Sequence, residues 1–291
     1  MKFRGHETFF IRKGWLTKGM KNMVKDPEVF ITKEYNPSDV LGLGTNMVKS
    51  LRYWLQAFGL TTEPKHGRRR QTLTDFGKFV YEKDRYIQEL GTLQLLHYKL
   101  CTNEDLATAW YYFFNEFGLL EFSREDFIRD IDNFLKMQNI TVAVRSLEDD
   151  FNCIVNTYLP RYKMGYKFDP EANNDSPFGE LGLLDIVDKK RKIYKKGSSA
   201  VDSFNQWVIL AIIMDNNQDN KEEISLNDLL TGVGNIGKVF NLDSVTMLEI
   251  LHNVEKSGVI KIVRTAGLDV IHINKIMTFD ECVEKYYEEI D

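Results

Sequence analysis

The stretch that most constrains this chain is Leu41 to Gly77, LGLGTNMVKSLRYWLQAFGLTTEPKHGRRRQTLTDFG. Met47, Leu51, Trp54, Leu55 and Phe58 recur at helical spacing and predict an amphipathic helix from about Thr45 to Phe58. Thr45 or Asn46 is placed to cap its start, and Gly59 to end it. Lys49, Arg52 and Tyr53 fall on its other sides. Leu60 to Glu63 reads as a short strand, Pro64-Lys65-His66-Gly67 as a turn, and Gln71 to Thr74 as the return strand. Thr74 then caps a helix beginning at Asp75. Arg68, Arg69 and Arg70 follow the turn directly, where no apolar core has a use for them. Two readings of that tip stand side by side: a solvated loop, or a wing whose guanidinium groups neutralise phosphates. On the second reading, Lys49 and Arg52 sit on a neighbouring helix suited to the major groove.

The remainder of the chain suits such an architecture. Its 291 residues allow two or three domains, and its 43% hydrophobic and 28% charged content is that of a soluble globular chain. The net charge of −5 excludes an all-over nucleic-acid coat, so any DNA contact must come from local patches. Basic residues do cluster at the front, as Lys2, Arg4, Arg12, Lys13, Lys18, Lys21 and Lys25 against Glu7 alone, while acids crowd the stretch after Phe279. Cys101, Cys153 and Cys282 are far apart with no CxxC, which argues against a zinc ribbon and for buried thiols in a reducing cytoplasm. No signal peptide is visible, and the longest apolar run, Trp207 to Met214, is too short to span a bilayer.

In order, a helix is expected from Arg12 or Gly14 to about Val24, ended by Asp26-Pro27. Residues 75–120 read as helical, with Trp110 to Phe117 and His97 in the core. Ser123 with Asp126 resembles a capping box ahead of Phe127, Ile131, Phe134 and Leu135. Val142 to Val144 reads as a short strand and Ser146 as the start of another helix. Residues 161–200 are irregular, with a linker or long loop and then a helix or strand over Leu181–Ile186. Lys189 to Lys192, with Lys195 and Lys196, form a second basic cluster, either a solvated face or a further phosphate contact. Residues 202–275 repeat the order helix, helix, hairpin. The expected class is mainly α with small β-hairpins (α+β), built from tandem winged helix-turn-helix-like units. Residues 1–120 are expected to form a winged-helix domain with a helical extension, and 121–200 a helical linker unit. Residues 201–291 are expected to form a second winged-helix-like domain, with an acidic tail that would repel DNA and dock a basic partner.

Several motifs together resemble one bacterial family. They are Gly5-His6-Glu7-Thr8-Phe9, Trp15-Leu16-x-Lys18, Leu41-Gly-x-Gly-x-Asn-Met-Val-x-Ser-x-x-x-Trp54, Leu73-Thr-x-Phe-Gly77, Leu95-Leu-His97 and Trp110-Tyr-x-x-Phe-Asn-Glu-Phe117. That family, first named as a domain of unknown function, occurs in defence and DNA-modification loci. Its neighbours there are sulfur-transfer enzymes related to phosphoadenosine-phosphosulfate reductase, and it includes the nicking subunit of a single-stranded DNA phosphorothioation system. The resemblance implies a role in DNA backbone sulfur modification, with DNA and such a sulfurtransferase as partners. It also implies phage defence as the setting, and Mg2+ or Mn2+ as cofactor if the chain nicks. These motifs carry over no catalytic residue.

The residues themselves do not show an enzyme. Metal-assisted nicking needs converging carboxylates, and the pairs Glu104-Asp105, Glu125-Asp126 and Asp130-x-Asp132 are of a kind that helix surfaces commonly carry. Gly232-x-Gly-x-x-Gly237 lacks a preceding strand and is a weak phosphate signal. His6 and Glu7 are adjacent, and in a strand they point to opposite faces. Either one packs locally while the other is exposed, or the two, with Arg12, mark a functional site. The sequence therefore predicts a DNA-binding component that contacts duplex through Lys49, Arg52, Lys65, His66, Arg68, Arg69 and Arg70. Strand nicking is the activity that the resemblance implies. A non-catalytic adaptor for a sulfur-transfer enzyme and a transcriptional regulator are the rivals.

Overall fold

The computed structural model describes residues 1–160, 175–265 and 268–290. The chain opens with α1 (Trp15–Lys25), α2 (Pro37–Leu41) and α3 (Thr45–Ala57). The Asn36 side chain accepts the Ser38 N–H at the start of α2, and the turn Gly42-Leu43-Gly44 leads straight into α3. Gly44 is the N-cap of α3 and no side chain caps it, so neither Thr45 nor Asn46 serves as expected. Leu51, Trp54, Leu55 and Phe58 are buried as the periodicity requires. Tyr53 is buried too, against the sequence expectation, because the N-terminal segment folds over that side of the helix. A two-strand hairpin follows, β1 (Thr61–Thr62) on β2 (Thr72–Leu73). Thr74 Oγ1 accepts the Gly77 N–H at 2.9 Å and starts α4 (Asp75–Lys83). A Cβ on Gly77 would lie 2.0 Å from the Leu60 carbonyl oxygen, so only glycine lets α4 begin this close to β1. Next comes α5 (Leu90–Thr102), buried on nearly every side.

The middle of the chain runs α6 (Thr108–Asn115), β3 (Glu121–Phe122), α7 (Arg124–Met137), α8 (Val144–Tyr158), a 3-10 turn over Pro177–Leu181, β4 (Leu184–Asp188) and β5 (Ile193–Lys196). The Ser123–Asp126 capping box forms as expected. No strand forms over 142–144; these residues lead into α8, which starts at Val144 rather than Ser146. The long loop expected before Pro177 lies largely outside the described residues. The last part runs α9 (Gln206–Asn216), β6 (Glu223–Ser225), α10 (Leu226–Thr231), α11 (Ile236–Val239), α12 (Ser244–Glu255), β7 (Ile260–Thr265), β8 (Leu268–Ile273) and α13 (Phe279–Ile290).

The two three-stranded antiparallel sheets have the same plan. Their orders are β3-β5-β4 and β6-β8-β7. In each, a short strand after the first helix pairs with the last strand, and helices (α7 and α8 in one, α10 to α12 in the other) separate it from the hairpin. The acidic C-terminus is not a free tail. It forms α13, which packs on α9 and α4 and buries Cys282, Val283, Tyr286 and Tyr287 while Glu281, Glu284, Glu288 and Glu289 face water. Phe76 meets Phe279 ring to ring and Thr92 Oγ1 lies 2.9 Å from the Tyr287 hydroxyl, so the chain's end is tied to its first third. Among the described residues, no helix is long and apolar enough to cross a membrane.

Candidate nucleic-acid interface

The N-terminal Gly5-His6-Glu7-Thr8-Phe9 segment is bent by three non-glycine residues in the left-handed region, Arg4 (φ 56), Glu7 (φ 50) and Thr8 (φ 70). Each costs on the order of 1 kcal/mol, so tertiary contacts must hold the bend. Asp150 on α8 provides them. Its carboxylate accepts the Arg4 backbone N–H at 2.9 and 3.2 Å, and His6 Nε2 lies 2.6 Å from its Oδ1. The Thr8 N–H donates to His6 Nδ1 at 3.1 Å, so Nδ1 is the acceptor and Nε2 carries the hydrogen given to Asp150. Burial raises the Asp150 carboxyl above its ordinary range, while the His6 bond and the Arg4 N–H pull it back down. The His6 ring stacks on Trp54 and meets the edge of Trp110. Trp54 Nε1–H in turn donates to the Phe9 carbonyl at 3.0 Å. His6 is thus fully buried, and the local packing read for one of the His6–Glu7 pair is what the structure shows.

Laid over α3 in this way, the segment forms one wall of a cleft of about 390 Å³. The cleft gathers Lys2 and Arg4 from the N-terminus, Lys49 and Arg52 from α3, and Arg69 from the hairpin, against Glu7 and Glu63. A Cβ on Gly5 would meet the Tyr53 ring at 2.5 Å, so the glycine allows the wall to sit against α3. Lys2 Nζ lies over the same ring, 5.3 Å from its centre.

Arg52 is not free for a groove. Its guanidinium clasps Glu63 through two bonds of 2.6 and 2.8 Å, and Gln56 adds a third to the same carboxylate. It braces the hairpin against α3. Arg68 and Arg70 also bend back, and both pair with Glu28 in the turn after α1. The adjacent Asp26 carboxyl is held low, first by its bond from the Tyr35 hydroxyl and also by these two arginines. Lys49, Lys65, His66 and Arg69 are exposed. Arg12 lies over the rings of Phe10 and Trp15, away from the cleft lining. Of the residues singled out by sequence, the cleft brings together Glu7, Lys49, Arg52 and Arg69. It leaves Lys65, His66, Arg68 and Arg70 at the hairpin tip, and His6 beneath. Lys2 and Arg4 enter the cleft as part of the basic N-terminal cluster, not as residues singled out one by one, and Glu63 is a site residue the sequence does not mark. The basic N-terminus was the only signal for the first two, and an acid eleven residues after Arg52 carries none.

The acidic pairs have other roles. Asp105 meets the N-terminal amine, Asp126 closes the capping box, Asp130 accepts the Tyr112 hydroxyl, and Asp132 pairs with Lys136. Among the described residues no three His, Cys, Asp or Glu side chains converge as a metal-binding set. The Gly232–Gly237 loop packs inward, its Gly234 N–H donating to Asn115 Oδ1 at 2.7 Å. His97 is a satisfied core residue, with Nε2 donating to the Val239 carbonyl at 2.7 Å and Nδ1 accepting from Tyr158 at 2.8 Å. The three cysteines are buried and unpaired.

Fold and cleft together define a class: a mixed helical protein with small antiparallel sheets and a cation-lined cleft between its N-terminal segment, a helix and a hairpin. The chain belongs to the family described as a protein of unknown function, DUF4007, whose profile matches residues 3–287. It is similar to two solved structures, a magnesium ion-bound SspB crystal structure and an SspB crystal structure. Each is 26% identical, with 99% of this chain and 88% of that chain covered, at TM-scores of 0.84 and 0.85. No curated protein sequence matches.

Proposed function

We propose that this chain is the DNA-contacting component of a bacterial DNA phosphorothioate modification system that serves in phage defence. The observation that carries the reading is the cleft, where cations from three separate segments converge on one surface of a chain that is acidic overall. Such a local patch is what neutralises phosphates and releases counterions. The sulfur-modification setting comes from the family motifs and from the likeness to SspB along nearly the whole chain.

On this reading the helices and hairpin of 1–120 and those of 201–291 are winged helix-turn-helix units, with a helical linker unit over 121–200 between them. Lys49 and Arg69 carry the main contact in the first unit, and Lys65 and His66 extend it along the hairpin. The partner is a sulfurtransferase to which the bound DNA is presented. Binding is the role these groups support directly, and no cleavage step is derived from them. The test is binding of a labelled duplex by the full chain across a salt series. A steep loss of affinity with salt is expected, shallower by about 1 to 2 in log–log slope for Lys49→Ala with Arg69→Ala. Absence of binding at low salt, or an unchanged slope in that variant, rejects the cleft. Incubation with supercoiled plasmid and Mg2+ or Mn2+ separates an adaptor from a nickase, since only the latter yields open circles.

A further inference from the structure

We propose that the β4–β5 hairpin is a second phosphate-binding element, one that takes the sugar–phosphate backbone of nucleic acid independently of the cleft. It rests on the DNA-binding reading above but uses a different part of the chain. Lys189, Lys190, Arg191 and Lys192 stand consecutively at the hairpin tip, and all four are exposed. The tip is a built turn. Asp188 Oδ1 accepts the backbone N–H groups of Lys190 at 2.8 Å and Arg191 at 3.0 Å, and Lys192 turns the chain at φ 54. Asp188 is thereby committed to the backbone, and its other oxygen comes no nearer than 3.9 Å to Arg191.

Among the described residues no carboxylate lies within 4.0 Å of the ammonium groups of Lys189, Lys190 or Lys192. The first hairpin differs, because Glu28 already neutralises Arg68 and Arg70 there. The stronger unneutralised charge therefore sits on the hairpin that sequence reading left undecided. Four adjacent cations repel one another, and a polyanion relieves that repulsion where water and dilute salt do so only partly.

The root of the hairpin is anchored in the core, which favours a docking element over a loose loop. Tyr194 packs against Phe122 and Phe151. Lys196, two residues on and on the same face, is buried and does not belong to the exposed cluster. Its Nζ donates to the Phe113 and Phe117 carbonyls at 2.7 and 2.6 Å, and burial pulls its ammonium down to about 7. Lys195 faces out with the tip. The hairpin follows the helix pair α7–α8, just as β7–β8 follows α10 to α12. On α8, Arg145 and Asn152 are exposed seven residues apart, hence on one face, and these are side-chain types that read base edges.

The test uses the full chain and a labelled duplex of mixed sequence, about two helical turns long. Changing Lys189, Lys190, Arg191 and Lys192 to alanine is expected to weaken binding and lower the log–log salt slope by roughly 2 to 4. A variant with arginine at all four positions is expected to bind as the wild type does, since charge and not the ammonium group is at work. Circular dichroism verifies that each variant is folded, and Asp188 is kept so that the turn is preserved. Wild-type affinity and slope in the alanine variant overturn the proposal. A tip variant that weakens binding while Lys49→Ala with Arg69→Ala does not would reject the cleft and leave this element standing. No duplex binding by the wild type at low salt overturns both.

Discussion

His6 Nε2 lies 2.6 Å from Asp150 Oδ1, across 144 residues of chain, with both side chains buried. This pair fastens the N-terminal segment to α8 and holds the strained bend that forms the cleft wall. His6→Ala removes one partner and leaves a carboxylate buried with only the Arg4 backbone N–H, which is expected to cost about 3–5 kcal/mol. Urea denaturation of the variant measures it. A loss below about 1 kcal/mol would show that the pair is dispensable.

Glu28 holds Arg68 and Arg70 off any other anion. Glu28→Gln keeps the shape and removes the charge, so both guanidinium groups become available to phosphate. Duplex affinity is expected to rise at low salt, with a salt slope steeper by up to about 2. If the slope stays at the wild-type value, the two arginines do not reach DNA.

Gly77→Ala places a Cβ against the Leu60 carbonyl oxygen, a backbone atom that has no rotamer by which to retreat. A cost of about 1–3 kcal/mol is expected from the overpacking. Gly118→Ala, where nothing lies within 4 Å of the new carbon, serves as the control and is expected to stay within about 0.5 kcal/mol. Equal melting temperatures for the two variants would contradict the close approach.

Burial lowers the His97 pKa from its ordinary 6.5 to about 4, opposed in part by its bond to Val239. Between those values the unfolded chain binds a proton that the folded chain does not, so stability falls as the pH drops from about 6.5 to 4. Below that window the loss is complete, on the order of 3 kcal/mol. His97→Gln cannot titrate and is expected to lack this part of the acid destabilisation. Denaturation midpoints for both proteins, taken at several pH values across the window, measure the difference. Parallel curves for the two proteins would assign the loss to other groups.

Local features were legible in the sequence. The apolar period of α3, the Thr74 cap, the Ser123–Asp126 box and the β7–β8 hairpin all depend on residues a few positions apart, and each formed. Neighbourhood in space was not legible. Tyr53 looked like a residue on a polar side of its helix, and it is buried because the segment around Gly5 and His6 lies over it. The 142–144 strand failed because two valines flanking an alanine say nothing without a partner strand to pair with. The acidic C-terminus looked like a solvated tail because its charges outnumber its apolar groups. The stripe of Val283, Tyr286 and Tyr287, which α9 and α4 cover, decided otherwise.

The sequence by itself determined that helices and small hairpins alternate, where several of them begin, and that cations cluster at two hairpin tips. These follow from side-chain periodicity, turn chemistry and composition, which act over one or two turns of chain. Only the tertiary structure decided which of those cations are spent. Arg70 meets an acid 42 residues away, and Arg52 on α3 is claimed by Glu63 of the hairpin, while Lys189, Lys190 and Lys192 meet none among the described residues. An ion pair is set by distance in space, falling off within a few ångströms, and sequence separation carries no record of that distance.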